Sequence, residues 1–322
     1  MRVGVDISPL VQTRAGTARH VRGLVGALRG RPDLDIELIS FGGTGRVSSI
    51  ARDAVWYPAV LGRRARSLDV LHCTTFRGPV GGRTPTVLTV HDLAILRHPE
   101  SLPPWHRLYG RAGLAKVVRA AEAVVAVSEF TKAEVVELLG VPAERIRVVG
   151  NGVDPVFTPD GSRAEGDYLL AVATLEPRKN LGRVVEASRI AGVELRVVGA
   201  RGWGGVDVPG WVGEIPDDEL AALYRGARCV VYASLYEGFG LPVLEAMASG
   251  APVVTSRGGA LEETAGGAAV LVDASDPESI AQGITEAAAR RDELVRRGHA
   301  RAGEFTWPRA ADAIEVLWRE LA

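Results

Sequence analysis

Short apolar runs alternate with longer stretches of helical period along most of the chain. In the first half, Arg2–Ile7, Ile36–Ser40, Val70–His72, Thr86–Val90, Ala123–Val127 and Ile146–Val149 read as strands, and Gly16–Arg29, Pro104–Ala120 and Glu129–Leu139 as helices. Near-continuous Val, Ile and Leu in strands that alternate with helices predicts a parallel sheet covered on both faces. Gly140 followed by Pro142 marks a helix stop.

The second half repeats the alternation. Strands are expected at Tyr168–Ala173, Glu194–Val198, Cys229–Tyr232, Pro252–Thr255 and Ala269–Val272. Helices are expected at Leu181–Ala191, Asp217–Arg225, Leu241–Ala248 and Pro277–Arg290. Between the halves, Asn151 to Gly161 is dense in turn residues and has no apolar period, which places a linker there. The expected division is residues 1–155 and 156–307. The amphipathic segment 308–322 is expected to pack back on the first domain. The fold class is therefore α/β, with two Rossmann-like, doubly wound domains in series. In such folds ligands bind at the carboxyl ends of the strands, so the site is expected in a cleft between the two.

Composition changes this picture little. The 322 residues are 47% hydrophobic and 24% charged, ordinary for a globular protein with a real core. The net charge of −1 gives no electrostatic case for nucleic acid. Two cysteines far apart, Cys73 and Cys229, suit a reducing, cytoplasmic setting better than a disulfide framework. The first residues read as a strand rather than a signal peptide. No apolar run approaches the roughly 20 residues needed to span a bilayer.

Four stretches carry candidate chemistry. The strongest is Glu237-Gly238-Phe239-Gly240-Leu241-Pro242-Val243-Leu244-Glu245-Ala246-Met247-Ala248-Ser249-Gly250, directly after a strand. Gly238 and Gly240 let backbone approach a ligand closely, and Pro242 suits a first helical turn. Free N–H groups at that helix start favour an anion by about 0.3–1 kcal/mol, up to about 2 when partly buried. A turn with two solvated carboxylates is the plainer alternative. It does not explain two acids flanking a Gly-x-Gly with apolar residues between them.

The second stretch is Thr174-Leu175-Glu176-Pro177-Arg178-Lys179-Asn180-Leu181, where two cations stand at a helix start. Cations are disfavoured there, so a bound diphosphate accounts for Arg178 and Lys179 better than chance surface charge. The third is Thr89-Val90-His91-Asp92-Leu93, which sets His91 at a strand end. The fourth joins the first strand to the first helix and contains Arg14, Gly16, Arg19 and His20. Arg19 and His20 are expected at the surface or facing an acceptor, and His72 and Ser128 are expected to be structural.

The pattern Glu-Gly-Phe-Gly-Leu-Pro-x-Leu-Glu-Ala-Met-Ala-x-Gly resembles the signature of glycosyltransferase family 4, the group 1 glycosyltransferases. These are retaining enzymes of the GT-B fold. The Glu-Pro-Arg-Lys-Asn run resembles a mannosyltransferase-like branch. Asp69 to His72, Val127 to Thr131, Asn151 to Asp154, Trp211 to Asp217 and Phe305 to Trp307 match further landmarks, so the likeness runs from about Val3 to Trp307.

The resemblance implies that Glu237 faces the donor-sugar hydroxyls and that Glu245 accepts hydrogen bonds from the ribose. It implies that Lys179 meets the diphosphate and that His91 contacts the transferred sugar. Many members place an arginine where Thr174 stands, and Arg178 is assigned as its substitute. Gly16 resembles the family's loop near the donor phosphate, and Val212 lies in the segment that packs on the base. Gly238, Phe239, Gly240 and Leu241 complete the donor set, and Asp92 and Arg14 are assigned to the acceptor side.

The implied activity moves a hexose, with mannose favoured, from a nucleotide-diphosphate sugar to a glycan, lipid-linked or small-molecule acceptor. The expected partners are that donor and that acceptor. The Arg, His, Trp and Pro content of residues 97–108 permits peripheral membrane contact. No cofactor or metal is expected: Asp33-Leu34-Asp35 precedes a strand as a turn, and the six histidines show no zinc spacing. Two other readings stay open, a nucleotide-sugar epimerase of the same fold and a non-catalytic nucleotide-sugar binding protein.

Overall fold

The computed structural model describes every residue except 13–15, 44, 99–112, 204 and 206–207. Arg14, most of the 97–108 loop and the first part of the Pro104–Ala120 helix expectation therefore lie outside the described residues. Residues 113–120 are helical. The chain divides into two compact units, Met1–Gly152 with Trp307–Ala322, and Val153–Thr306.

The first unit is built on a parallel sheet of β1 (Arg2–Asp6), β2 (Asp35–Ile39), β3 (Val70–Cys73), β4 (Thr86–Val90), β5 (Ala123–Ala126) and β6 (Ile146–Val148), in the order β2-β1-β3-β4-β5-β6. All four residues of β3, all five of β4 and all four of β5 are buried. That is the signature of a sheet covered on both faces. On one face, Val21, Leu24, Val25 and Leu28 of the helix Gly16–Leu28 pack with Trp307, Ile314, Leu317 and Trp318 of the helix Trp307–Leu321. These two helices meet so closely that a methyl group on Gly23 would collide with the Trp307 indole. On the other face, Trp56, Tyr57 and Leu61 pack with Leu71, Leu88, Leu114 and Leu139.

The second unit carries β7 (Tyr168–Val172), β8 (Glu194–Val198), β9 (Trp211–Gly213), β10 (Cys229–Tyr232), β11 (Val253–Ser256) and β12 (Val270–Val272). Its order is β12-β11-β10-β7-β8-β9, all parallel. Read from β9, this is the strand order of a dinucleotide-binding Rossmann sheet, with the reversal point between β7 and β10. Loops leaving the carboxyl ends of those two strands flank the crevice where such sheets bind ligands.

Strands and helices fall where the apolar pattern puts them, with end shifts of a residue or two. Elements without a sequence expectation include the three-residue β9, the helical segments Arg46–Ala51 and Arg52–Leu61, the short turn Ala94–Arg97, and the helices Gly259–Ala265 and Arg291–Ala302. Ser128 caps the helix Glu129–Leu139 by accepting from Thr131 N, and Gly140 closes it at φ +62°. Among the described residues, no helix is long and apolar enough to cross a membrane.

Candidate functional site

The loops after β7 and β10 are tied to each other by backbone and side chain. Leu235 N donates to Arg178 O at 2.8 Å. Asn180, the one described non-glycine residue at positive φ (+59°), sends Nδ2 to the carbonyls of Ala233 (2.9 Å) and Ala274 (2.6 Å). Asparagine tolerates the left-handed region better than most residues, and its amide locks the turn between Pro177–Lys179 and the helix Leu181–Ala191.

This clamp brings three charged candidates together. Lys179 Nζ lies 2.5 Å from Glu237 Oε1 and 3.0 Å from the Tyr232 hydroxyl. Arg178 Nη1 donates to Glu237 Oε2 and to Tyr236 O, both at 3.2 Å, while its Nε pairs with Glu176 at 2.9 Å. The Tyr232 hydroxyl also donates to Glu237 Oε1 at 2.9 Å.

Glu237 and Glu176 are buried, at 9% and 5% exposure. Burial pushes the Glu237 carboxyl up, but Lys179 and Arg178 outweigh it and bring the value down to about 2. For Lys179 burial works downward, and the facing Glu237 more than compensates, so the ammonium stays protonated. Burial, reinforced by Glu237, pushes the Tyr232 hydroxyl up to about 12. At neutral pH the centre therefore holds an ionised carboxylate between two cations, with a neutral phenol bridging them.

The glycine turn follows directly. Gly240 sits at φ +109° as the N-cap of the helix Leu241–Ala248, and a Cβ there would lie 2.6 Å from Leu261 Cδ2. Gly238 and Leu241 are buried beside it. Phe239 is held by Thr264, whose hydroxyl donates to its carbonyl at 2.6 Å, and by an edge contact with Phe305. Glu245, 3% exposed, accepts from the Tyr224 hydroxyl at 3.1 Å. Thr174 is half-buried after β7, and Val212 is 53% exposed on β9, two strands from β7.

The remaining candidates belong to the first unit. Gly16 is the exposed first residue of its helix. His91 is half-buried at the end of β4, with Nε2 bonded to the Thr74 carbonyl at 2.9 Å. Asp92 Oδ1 accepts from Ala94 N at 3.0 Å. Both line a hollow of about 150 Å³ with Pro9, Gln12, Thr17, Thr75, Phe76 and Arg77. Beneath it, Asp6 accepts from Ser8 Oγ and from the Tyr57 hydroxyl, and its main-chain carbonyl accepts from Thr74 Oγ1.

The expectation for His20 needs correcting. It is not at the surface but 5% exposed, because it lies on the inward stripe of its helix with Leu24 and Leu28. Its Nδ1 pairs with Asn151 Oδ1 at 2.7 Å, and its ring meets His91 edge-on at 4.7 Å. His72 is buried against Thr89. Burial depresses all three imidazoles, His72 to about 3, so they are neutral at physiological pH.

Tyr232, Glu176, Asn180, Tyr224 and Asn151 did not stand out as candidates. The signal for Tyr232 is a tyrosine as the last strand residue before an acidic loop. Asn151 falls in a stretch that reads as a turn and as a family landmark, with no side-chain role attached to it.

The family described as "Glycosyl transferases group 1" matches residues 157–302, and "Glycosyltransferase Family 4" matches residues 15–157. The O-antigen chain mannosyltransferase B of Escherichia coli is 33% identical over 69% of this chain, which spans 66% of that protein. A D-inositol 3-phosphate glycosyltransferase of Acidothermus cellulolyticus is 30% identical over 98% of this chain and 79% of its own length.

Among solved structures, a sucrose-phosphate synthase from Thermosynechococcus elongatus superposes with TM-score 0.78 at 18% identity, covering 100% of this chain and 99% of that one. Anabaena HepE in complex with UDP and glucose gives 0.72 at 18% identity with full coverage of both chains.

Proposed function

Because the chain belongs to the group 1, family 4 glycosyltransferases and has their GT-B fold, we propose that it transfers a hexose from a nucleotide-diphosphate sugar to a hydroxyl of a glycan, lipid-linked or small-molecule acceptor. Mannose is the sugar we favour, since a relative matched over more than two thirds of this chain is named a mannosyltransferase. HepE, solved with UDP and glucose, supports a nucleotide-sugar donor by analogy of fold. The other relatives matched here are named as transferases as well, and nothing favours the epimerase reading.

One observation carries the proposal. Arg178, Lys179 and Glu237 converge beside the glycine turn at the reversal point between β7 and β10. Cleaving the bond between an anomeric carbon and a phosphate oxygen builds negative charge on the departing diphosphate. Fixed cations aimed at that charge stabilise the transition state more than the ground state. Arg178 and Lys179 fit this role, with the backbone N–H groups at the start of helix Leu241–Ala248 assisting.

Glu237, held ionised, accepts from the sugar hydroxyls and returns the cations to a defined position when phosphate leaves. Glu245 is assigned to the ribose, with Thr174 and Val212 bordering the nucleotide. Neutral His91 is assigned a hydrogen bond to the transferred sugar. Retention of anomeric configuration follows from the family likeness, and the diphosphate charge is met without a metal.

The test is transfer and donor binding in Lys179→Ala, Glu237→Ala and His91→Ala. Removing one such transition-state contact costs on the order of 100-fold or more in turnover. Near-normal turnover in all three refutes the assignment.

A further inference from the structure

We propose that Tyr232 is a positioning residue for the transfer reaction: its hydroxyl keeps the Glu237 carboxylate seated for the donor sugar when Lys179 turns from that carboxylate to the diphosphate. The inference rests on the transferase reading and adds to it a side chain outside the acid-flanked glycine turn.

Without a donor the charges of the centre balance. Glu176 and Glu237 stand against Arg178 and Lys179, two charges of each sign. A diphosphate therefore competes with Glu237 for the cations that hold it. A buried carboxylate stripped of its cations is costly unless another donor stays with it. An uncharged donor whose proton is already given to the carboxylate is the partner that this competition leaves in place.

Tyr232 meets that description. Its hydroxyl accepts from Lys179 Nζ at 3.0 Å and donates to Glu237 Oε1 at 2.9 Å, so its single proton is committed to the carboxylate. With the hydroxyl pushed up to about 12, that proton stays in place at neutral pH. The ring stands on a rigid element. Tyr232 ends β10, pairs with Thr255 of β11, and its carbonyl accepts from Thr255 Oγ1 at 2.9 Å. Lys179 instead reaches the carboxylate from the end of the turn Pro177–Lys179 on a long flexible stem. Oε1 of Glu237 is taken by Tyr232 and Lys179, whereas Oε2 accepts from Arg178 and keeps acceptor capacity beyond that bond. While the phenol fixes Oε1, Oε2 stays oriented for a sugar hydroxyl after the ammonium has moved.

The experiment uses the whole chain with GDP and GDP-mannose as probes, and UDP and UDP-glucose in parallel. Calorimetry gives the preference for each sugar nucleotide over its own diphosphate, and initial rates of donor consumption give turnover. Tyr232→Phe keeps the ring and removes the hydroxyl. It is expected to leave diphosphate affinity within about twofold, which also reports that the site is still folded. The preference for the sugar nucleotide, and turnover, should each fall by about tenfold, as for a lost hydrogen bond to a charged group. In a Glu237→Ala background the same change should alter neither quantity by more than about twofold, because the partner through which Tyr232 acts is gone.

A Tyr232→Phe protein that matches the unaltered one in preference and turnover overturns the proposal. So does an equal loss of affinity for diphosphate and sugar nucleotide, the mark of a merely structural role, or an effect that adds in full to that of Glu237→Ala. These results leave the transferase reading standing, since the unaltered protein still transfers. An unaltered protein that binds neither sugar nucleotide removes that reading and the proposal together.

Discussion

Replacing Lys179 by methionine removes the ammonium but keeps most of the side-chain volume. It leaves Glu237 buried beside Arg178 and the Tyr232 hydroxyl. The size of the effect follows from the carboxyl itself. Bringing it from its ordinary 4.5 down to about 2 corresponds to about 3 kcal/mol of net preference for the ionised form within the fold.

Because the folded value lies below the unfolded one, that stabilisation is complete above about pH 4.5 and is lost as pH falls toward 2. Arg178 retains part of it, so Lys179→Met is expected to destabilise the second unit by about 2 kcal/mol at pH 7. The loss should shrink by pH 3.5, where the unaltered protein has begun to give up the same contribution. Glu237→Gln should cost a similar amount. The double variant should cost less than the sum by about 1–3 kcal/mol, since each single change strands a buried charge.

Hydrogen exchange of the β7 and β10 amides reads the stability of this unit without assuming that the whole chain unfolds in one step. Strictly additive single effects, or a Lys179→Met cost that does not change between pH 7 and pH 3.5, would refute the reasoning.

Two further expectations concern the same unit. Gly240→Ala forces a side chain into φ +109° and toward Leu261. It should lower stability by about 1–3 kcal/mol and weaken nucleoside-diphosphate binding, and an unchanged melting temperature would contradict this. If the diphosphate charge is met by Arg178 and Lys179, exhaustive treatment with EDTA should leave transfer within twofold. Abolition of activity restored by a divalent ion would falsify the metal-free assignment.

The fold was readable because its physics is local and repetitive. Strands buried on both faces are nearly continuous apolar runs, as at Thr86–Val90 and Cys229–Tyr232, and helix ends carry glycine or a capping serine. The edge strand Trp211–Gly213 was not readable, since three residues with one exposed valine leave no pattern. The segment Arg52–Leu61 hid behind Pro58, a residue that argues against any helix interior.

At the site, sequence gave the acid-flanked glycine turn and the two cations, but not their mutual contact. That contact depends on strand order, which no local pattern encodes. Tyr232 shows the difficulty: as a strand residue it looks like core, and only the return of the β7 loop turns its hydroxyl into a bridge between Lys179 and Glu237. His20 and Asn151, 131 positions apart, are the same lesson in the first unit.

The helix Trp307–Leu321 has a consequence for biosynthesis. The first unit is discontinuous: its first 152 residues are translated long before the segment that covers Val21, Leu24 and Leu28. The second unit, Val153–Thr306, is a single uninterrupted stretch that needs no later segment to complete it. Until Trp307 and Trp318 emerge, the older part of the chain must wait with a greasy flank uncovered, the interval in which a holding chaperone would be of most use.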